Sequence, residues 1–213
     1  MEAVRLRTSD RAYLEIREHI LDLRLPPGSV VNEQSLATDL GLGRMPVREA
    51  IARLANDRFV TVFPRRGTIV TPVTLDDVFA MFQAREAIEC GVVHIVARRA
   101  TDADLAELRR LVTAADRARE GTDHEAFLRD DHAIHTRLVH TVCNALLQAP
   151  AERLLLHNLR FWRSYWAARP ARQHTMMSHD ALLTALEARD PQAAQTAMRA
   201  HLVASRQLLQ DAF

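Results

Sequence analysis

At 213 residues, 48% hydrophobic and 26% charged, the chain has the length of one large or two small domains and is too apolar to be disordered throughout. No apolar run approaches the ~20 residues of a membrane-spanning helix. The opening MEAVRLRTSD lacks the apolar core of a secretory signal, so a cytoplasmic location is expected. Net charge is +1 and there is no lysine; Cys90 and Cys143 are too few for a disulfide framework, and both are expected to pack in the core.

In chain order, Ser9 or Asp10 can cap a first helix running to about Leu23, with Tyr13, Ile16, Ile20 and Leu23 on one face. Pro26-Pro27-Gly28 ends it. Asn32 is placed to cap a second helix, Glu33 to Leu40, with Gly41 at its C-terminal end. A third helix is expected from about Pro46 to Asn56, turning Val47, Ala50, Ile51 and Leu54 inward and leaving Arg44, Arg48, Glu49 and Arg53 outside. Two β-branched, aromatic-rich runs, 59–63 and 68–71, flank the tip Pro64-Arg65-Arg66-Gly67 and read as a hairpin. Pro72 closes this unit, so a first domain of residues 1–72 is expected.

From 73 to 213 the periodicity is helical. Segments near 75–99, 102–120, 123–142, 144–168, 173–188 and 190–211 are separated by Thr101-Asp102, Gly121-Thr122, Asn144, Pro170 and Asp190-Pro191. The expected fold is mostly α: a winged helix-turn-helix followed by an antiparallel all-helical bundle.

Between Gly43 and Arg66 six arginines face only Glu49 and Asp57. A helix entering the major groove reads base edges with its N-terminal residues. Arg44 and Arg48 lie one turn apart at that end, with Met45 between them and Arg53 further along. The Arg65-Arg66-Gly67 tip can reach a backbone or minor groove. Any one of these arginines reads as solvated surface; the whole order points to double-stranded DNA as partner. PPGSVVNEQSLATDLGLGRMPVREAIARLANDRFVTVFPRRGTIV resembles the DNA-binding domain of GntR-type transcriptional regulators over residues 10–72, above all in RMPVREAIARL followed by PRRG. By that resemblance Arg44, Arg48 and Gly67 fall on DNA-contacting positions. The family usually has Ser and Thr where this chain has Gly43 and Met45. The exchange removes an N-cap hydroxyl and offers a thioether that can touch a thymine methyl.

Nine of the ten histidines follow residue 90. His124, His157 and His174 sit among polar neighbours and are expected at the surface. In FLRDDHAIHTRL, Asp131 and His135 are four apart, on one helix face, a spacing that suits two ligands of one metal. His179 and His201 lie beside apolar faces, where an unpartnered imidazole is costly. Spacing alone leaves two readings open: core or capping histidines hydrogen-bonded to carbonyls and Asp131, or a metal site gathered from several helices.

Residues 75–210 resemble the FCD effector domain of the FadR subfamily of GntR regulators, through AREAIE (84–89), DHAIHTRL with NALL (131–147) and SHDALLTALEARDPQAAQTAMRAHL (178–202). Six expected helices are similar to the VanR-like branch. The resemblance implies a divalent metal held by Asp131, His135, His179 and His201: zinc is expected, with nickel or manganese as alternatives. It also implies a small carboxylate effector, with Arg85 facing it or else paired to Glu89 at i,i+4. Asn144 reads as a helix N-cap or an effector contact. The function implied is a homodimeric, ligand-responsive repressor. The alternatives are a regulator whose metal is purely structural, or a metal-dependent hydrolase. With no positioned general base beyond the ligands, an enzyme is not expected.

Overall fold

The computed structural model describes residues 6–121, 123–169 and 177–210, with the side chains of 209 and 210 excepted. By internal contacts the chain divides into two compact units, residues 1–74 with 163–168, and residues 75–162 with 169–213.

The first unit contains α1 (Thr8–Leu21), β1 (Val30–Val31), α2 (Glu33–Asp39), α3 (Arg44–Asn56), β2 (Val60–Phe63) and β3 (Gly67–Val70). Helix α1 starts after Arg7 rather than at a Ser9 or Asp10 cap, and stops at Leu21; Leu23 sits beyond it at φ 59°. Asn32 caps α2 by accepting hydrogen bonds from the amides of Gln34 and Ser35. Gly41, at φ 62°, takes the left-handed conformation that lets the Leu42 amide reach back to the Ala37 carbonyl at 2.9 Å. The tight turn separates α2 from α3, and the two helices pack on each other. Helix α3 begins two residues earlier than expected, and Pro46 still falls in the first turn, where no amide partner is lost. Val47, Ala50, Ile51 and Leu54 are buried beside Ala12, Ile16 and Ile20 of α1, the helix α3 packs on.

The sheet order is β1-β3-β2, all antiparallel, with Val30 opposite Ile69 and Val60 opposite Val70. The two-residue β1 is too short to show as a pattern, and only pairing with β3 reveals it. At the wing tip the Arg66 amide bonds the Phe63 carbonyl at 3.0 Å, with Arg65 at φ 63°. This is a type II turn, with Pro64 at the position whose φ proline already supplies and an arginine where glycine is usual.

The second unit holds α4 (Leu75–Arg99), α5 (Asp102–Glu120), α6 (His124–Thr141), α7 (Ala145–Ala167, which runs on into 163–168), α8 (Asp180–Glu187) and α9 (Pro191–Gln210). Helix α4 packs on α9, α5 on α6 and α8 on α9. Thr101 and Asp104 form a capping box at the start of α5, and Asp123 caps α6. Helix α8 is shorter than the expected 173–188: residues 177–179 are non-helical, and 173–176, like His174, lie outside the described residues. Cys90 is buried, as expected. Cys143 is not: it is exposed, at φ 52° in the turn after α6, so core packing is corrected for that residue. None of the described helices is long and apolar enough to cross a membrane.

Candidate metal centre and DNA interface

Helix α6 sets Asp131 and His135 one above the other on its buried face. The chain brings His179 to them as the residue before α8. His179 is an N-cap that makes no capping hydrogen bond, because its ring is turned inward. His201 comes from α9. One ligand atom from each of Asp131, His135, His179 and His201 lies within 4.8 Å of all the others.

The distances suit a shared cation. His179 Nε2 is 3.3 Å from His135 Nε2 and 3.4 Å from Asp131 Oδ1; His135 Nε2 is 3.8 Å from that oxygen. Ligands held at zinc–nitrogen and zinc–oxygen bond lengths in a tetrahedron stand about 3.3 Å apart. The His201 ring centroid is 4.2 Å from that of His179, and its buried Nδ1 has no hydrogen-bond partner among the described residues.

A second layer orients the first. Arg85 and Glu89, one turn apart on α4, are both buried and paired at 2.6 Å. The other Glu89 oxygen accepts a short hydrogen bond from His135 Nδ1. Burial works to raise the Glu89 carboxyl, but Arg85 and then His135 outweigh it and hold it at about 2. An ionised Glu89 can only accept, so His135 Nδ1 donates that hydrogen bond, and Nε2 is the ring atom turned toward Asp131 and His179.

Arg85 is almost fully committed. Its Nε serves Glu89, its Nη1 donates to Asn158 Oδ1 on α7 at 2.9 Å, and only Nη2 remains, 3.3 and 3.4 Å from the two His135 nitrogens. One free amino group can hold a carboxylate through one oxygen, not clamp both. Sequence reasoning placed Glu89 only as a possible partner of Arg85 and missed Asn158, which reaches the cluster across helix packing that no local pattern encodes.

Burial, reinforced by repulsion from the adjoining imidazoles were they to charge together and by Arg85, lowers His179 well below the usual imidazole value; burial, His135 and Arg85 bring His201 to about 3. Both rings are thus neutral, with lone pairs available. Burial raises Asp131, against the pull of His135 and Arg85. Since Arg85 and Glu89 already cancel, Asp131 lacks a cation of its own. The donor set, its separations and the orphaned His201 nitrogen fit a divalent ion. Asn144 stands apart in role: it is exposed, and its Oδ1 caps α7 by accepting from the Leu146 amide at 3.0 Å, so the capping reading is the one observed.

In the first unit, Arg44, Met45 and Arg48 are exposed on the first turns of α3, and Arg65, Arg66 and Gly67 are exposed at the wing tip. Arg44, Arg65 and Arg66 have no ion-pair partner among the described residues. Arg53 differs. It sits roughly 140° around the helix from Arg48, donates to Asp10 of α1 at 2.6 Å and lies 4.3 Å from the Tyr13 ring centroid. Tyr13 in turn donates to Asp57 at 2.8 Å. Arg53 therefore fastens α3 to α1 while remaining exposed, as expected. Arg53→Ala is expected to cost about 1 kcal/mol of stability, from a part-exposed ion pair and a cation–π contact, with little change in DNA selectivity; urea unfolding and a DNA titration check both halves.

Residues 8–70 match the domain described as bacterial regulatory proteins, gntR family, and residues 80–204 match the FCD domain. The chain belongs to the GntR family, in its FCD-containing branch. Among relatives of this GntR regulator, an uncharacterized HTH-type transcriptional regulator in an unstable DNA locus of Streptomyces ambofaciens is 31% identical, over 89% of this chain and 80% of that protein. The HTH-type transcriptional repressor GlaR of Escherichia coli is 29% identical, over 96% and 97%. The solved structure of E. coli McbR/YncC superposes with TM-score 0.83 at 23% identity, covering 98% of this chain and all of that one, a likeness of fold. Family and relatives make this protein a DNA-binding transcriptional regulator and not an enzyme.

Proposed function

We propose that this GntR regulator is a ligand-responsive repressor in which residues 1–72 read DNA and residues 73–213 sense a small organic acid at a metal held by Asp131, His135, His179 and His201. The observation that carries the reading is the convergence of those four buried or enclosed donors within 4.8 Å. Three imidazoles and one carboxylate suit zinc, with nickel or manganese as alternatives. Such an ion supplies a Lewis-acidic anchor for an acid's carboxylate.

The residues do the rest. Glu89 orients His135, Arg85 offers its remaining Nη2 to the acid, and Asn158 holds Arg85 in place. A homodimer would set two α3 helices in successive major grooves of a near-palindromic operator. An acid then changes operator affinity only by as much as it binds two arrangements of the DNA-reading units differently.

A second reading has one observation in its favour. Three of the four donors are buried, with side-chain exposures of 1% for His135 and His179 and 12% for Asp131 and only His201 half-buried, as suits a structural metal. The two readings separate in one titration. DNA binding of the metal-loaded protein is followed by anisotropy against a panel of small mono- and dicarboxylic acids. An acid that weakens operator binding supports sensing; no response to any of them, with metal bound, supports the structural ion.

A further inference from the structure

An acidic side chain stands where DNA would be read. Glu33 opens α2, and its Oε2 accepts a hydrogen bond from Arg48 Nε of α3 at 3.2 Å, across fifteen residues of sequence. The pair lies at the surface, with side-chain exposures of 67% for Arg48 and 33% for Glu33. Next to a polyanion, a carboxylate repels, and its removal should strengthen binding. An acid at a helix N-terminus is favoured by the helix dipole, which accounts for a carboxylate at Glu33 but not for its grip on one atom of Arg48.

That grip has a chemical consequence. A guanidinium has two edges that can make paired hydrogen bonds, one of which includes Nε. With Nε engaged by Glu33, the Nη1/Nη2 edge is the one left to face outward, and the side chain loses much of its freedom to sweep. Guanine offers O6 and N7 at the spacing such an edge fits. Arg44, one turn earlier on α3, has no ion-pair partner among the described residues and stays free to follow a phosphate. The two arginines thus differ in what holds them: one is fixed by a carboxylate, the other is not.

We propose that Glu33 is a positioning residue for base recognition: by holding Arg48 through Nε, it presents the Nη1/Nη2 edge of that arginine to a guanine in the major groove. This rests on the reading of α3 as the helix that enters DNA.

The test uses the full-length protein and duplexes selected by it from a randomised pool. Anisotropy titrations compare the selected duplex, the same duplex with its preferred guanine replaced, and an unrelated duplex. Glu33→Gln should cut the preference for that guanine about tenfold, while the unrelated duplex binds as well as before or more tightly. Glu33→Asp keeps the charge but shortens the reach, and should lose the preference too. In combination with Arg48→Ala, neither change should remove more than Arg48→Ala removes alone. Thermal midpoints near that of the unaltered protein show that folding is not what changed. The proposal is overturned if Glu33→Gln tightens all three duplexes equally with the preference intact, or if the two losses add. A pool in which the unaltered protein enriches no sequence overturns instead the reading of α3 beneath it.

Discussion

Stripping divalent metal from this regulator with a chelator is expected to lower its thermal midpoint by roughly 10 °C, and His135→Ala is expected to abolish the difference between stripped and loaded protein. A ligand that binds only the folded state stabilises it by about 4 kcal/mol when present at a thousand times its dissociation constant, and each kcal/mol moves the midpoint of a domain of this size by a few degrees. His135 is the choice because it sits at the centre of the cluster: its Nε2 faces Asp131 and His179, and its Nδ1 faces Glu89. Its removal takes away a donor and also leaves one Glu89 oxygen without its hydrogen bond, the other staying on Arg85. Scanning calorimetry with and without zinc checks the prediction, and equal zinc-dependent shifts in both proteins would sink it.

The second large effect concerns Arg85. Arg85→Ala is expected to destabilise the helical unit by about 3–5 kcal/mol, because it leaves Glu89 buried and unpaired. The acid response points the same way. Glu89 is held near 2 against an ordinary value of 4.5. A depressed carboxyl adds stability at pH above its unfolded value and loses it as pH falls toward the folded one, here a difference of about 3 kcal/mol. In Arg85→Ala that acid resistance should shrink, with unfolding beginning at a higher pH. The double change Arg85→Ala, Glu89→Ala should cost less than the sum of the single ones, since neither charge is then abandoned. Urea unfolding at several pH values measures all three. Loss of an effector response in Arg85→Ala would accordingly say little about contact with the effector; Arg85→Lys, which keeps the charge and gives up the fork, is the more informative change.

Most of the fold was legible because its signals are local. Asn32, Gly41 and Thr101 bound helices through hydrogen bonds that reach two to five residues along the chain, and α4, α5 and α6 follow their apolar periods closely. The features that escaped depend on distant partners. Strand β1 exists through β3; Asn158 matters through Arg85; Arg53 is turned to α1 by Asp10 and Tyr13, which lie some forty residues earlier. Asp131 and His135 could be paired from their spacing on α6. That His179 and His201 join them came from family resemblance, and the helix packing brings all four together. Cys143 was misjudged because composition favours burial of cysteine, whereas a turn between two helices decides its exposure.

The most direct measurement is elemental analysis of the purified protein beside its His135→Ala and His201→Ala variants. The account predicts about one divalent ion per chain in the unaltered protein and a metal-poor preparation of each variant. A full complement of metal in both variants, or none in the unaltered protein after growth and purification with zinc, nickel and manganese supplied, would contradict it.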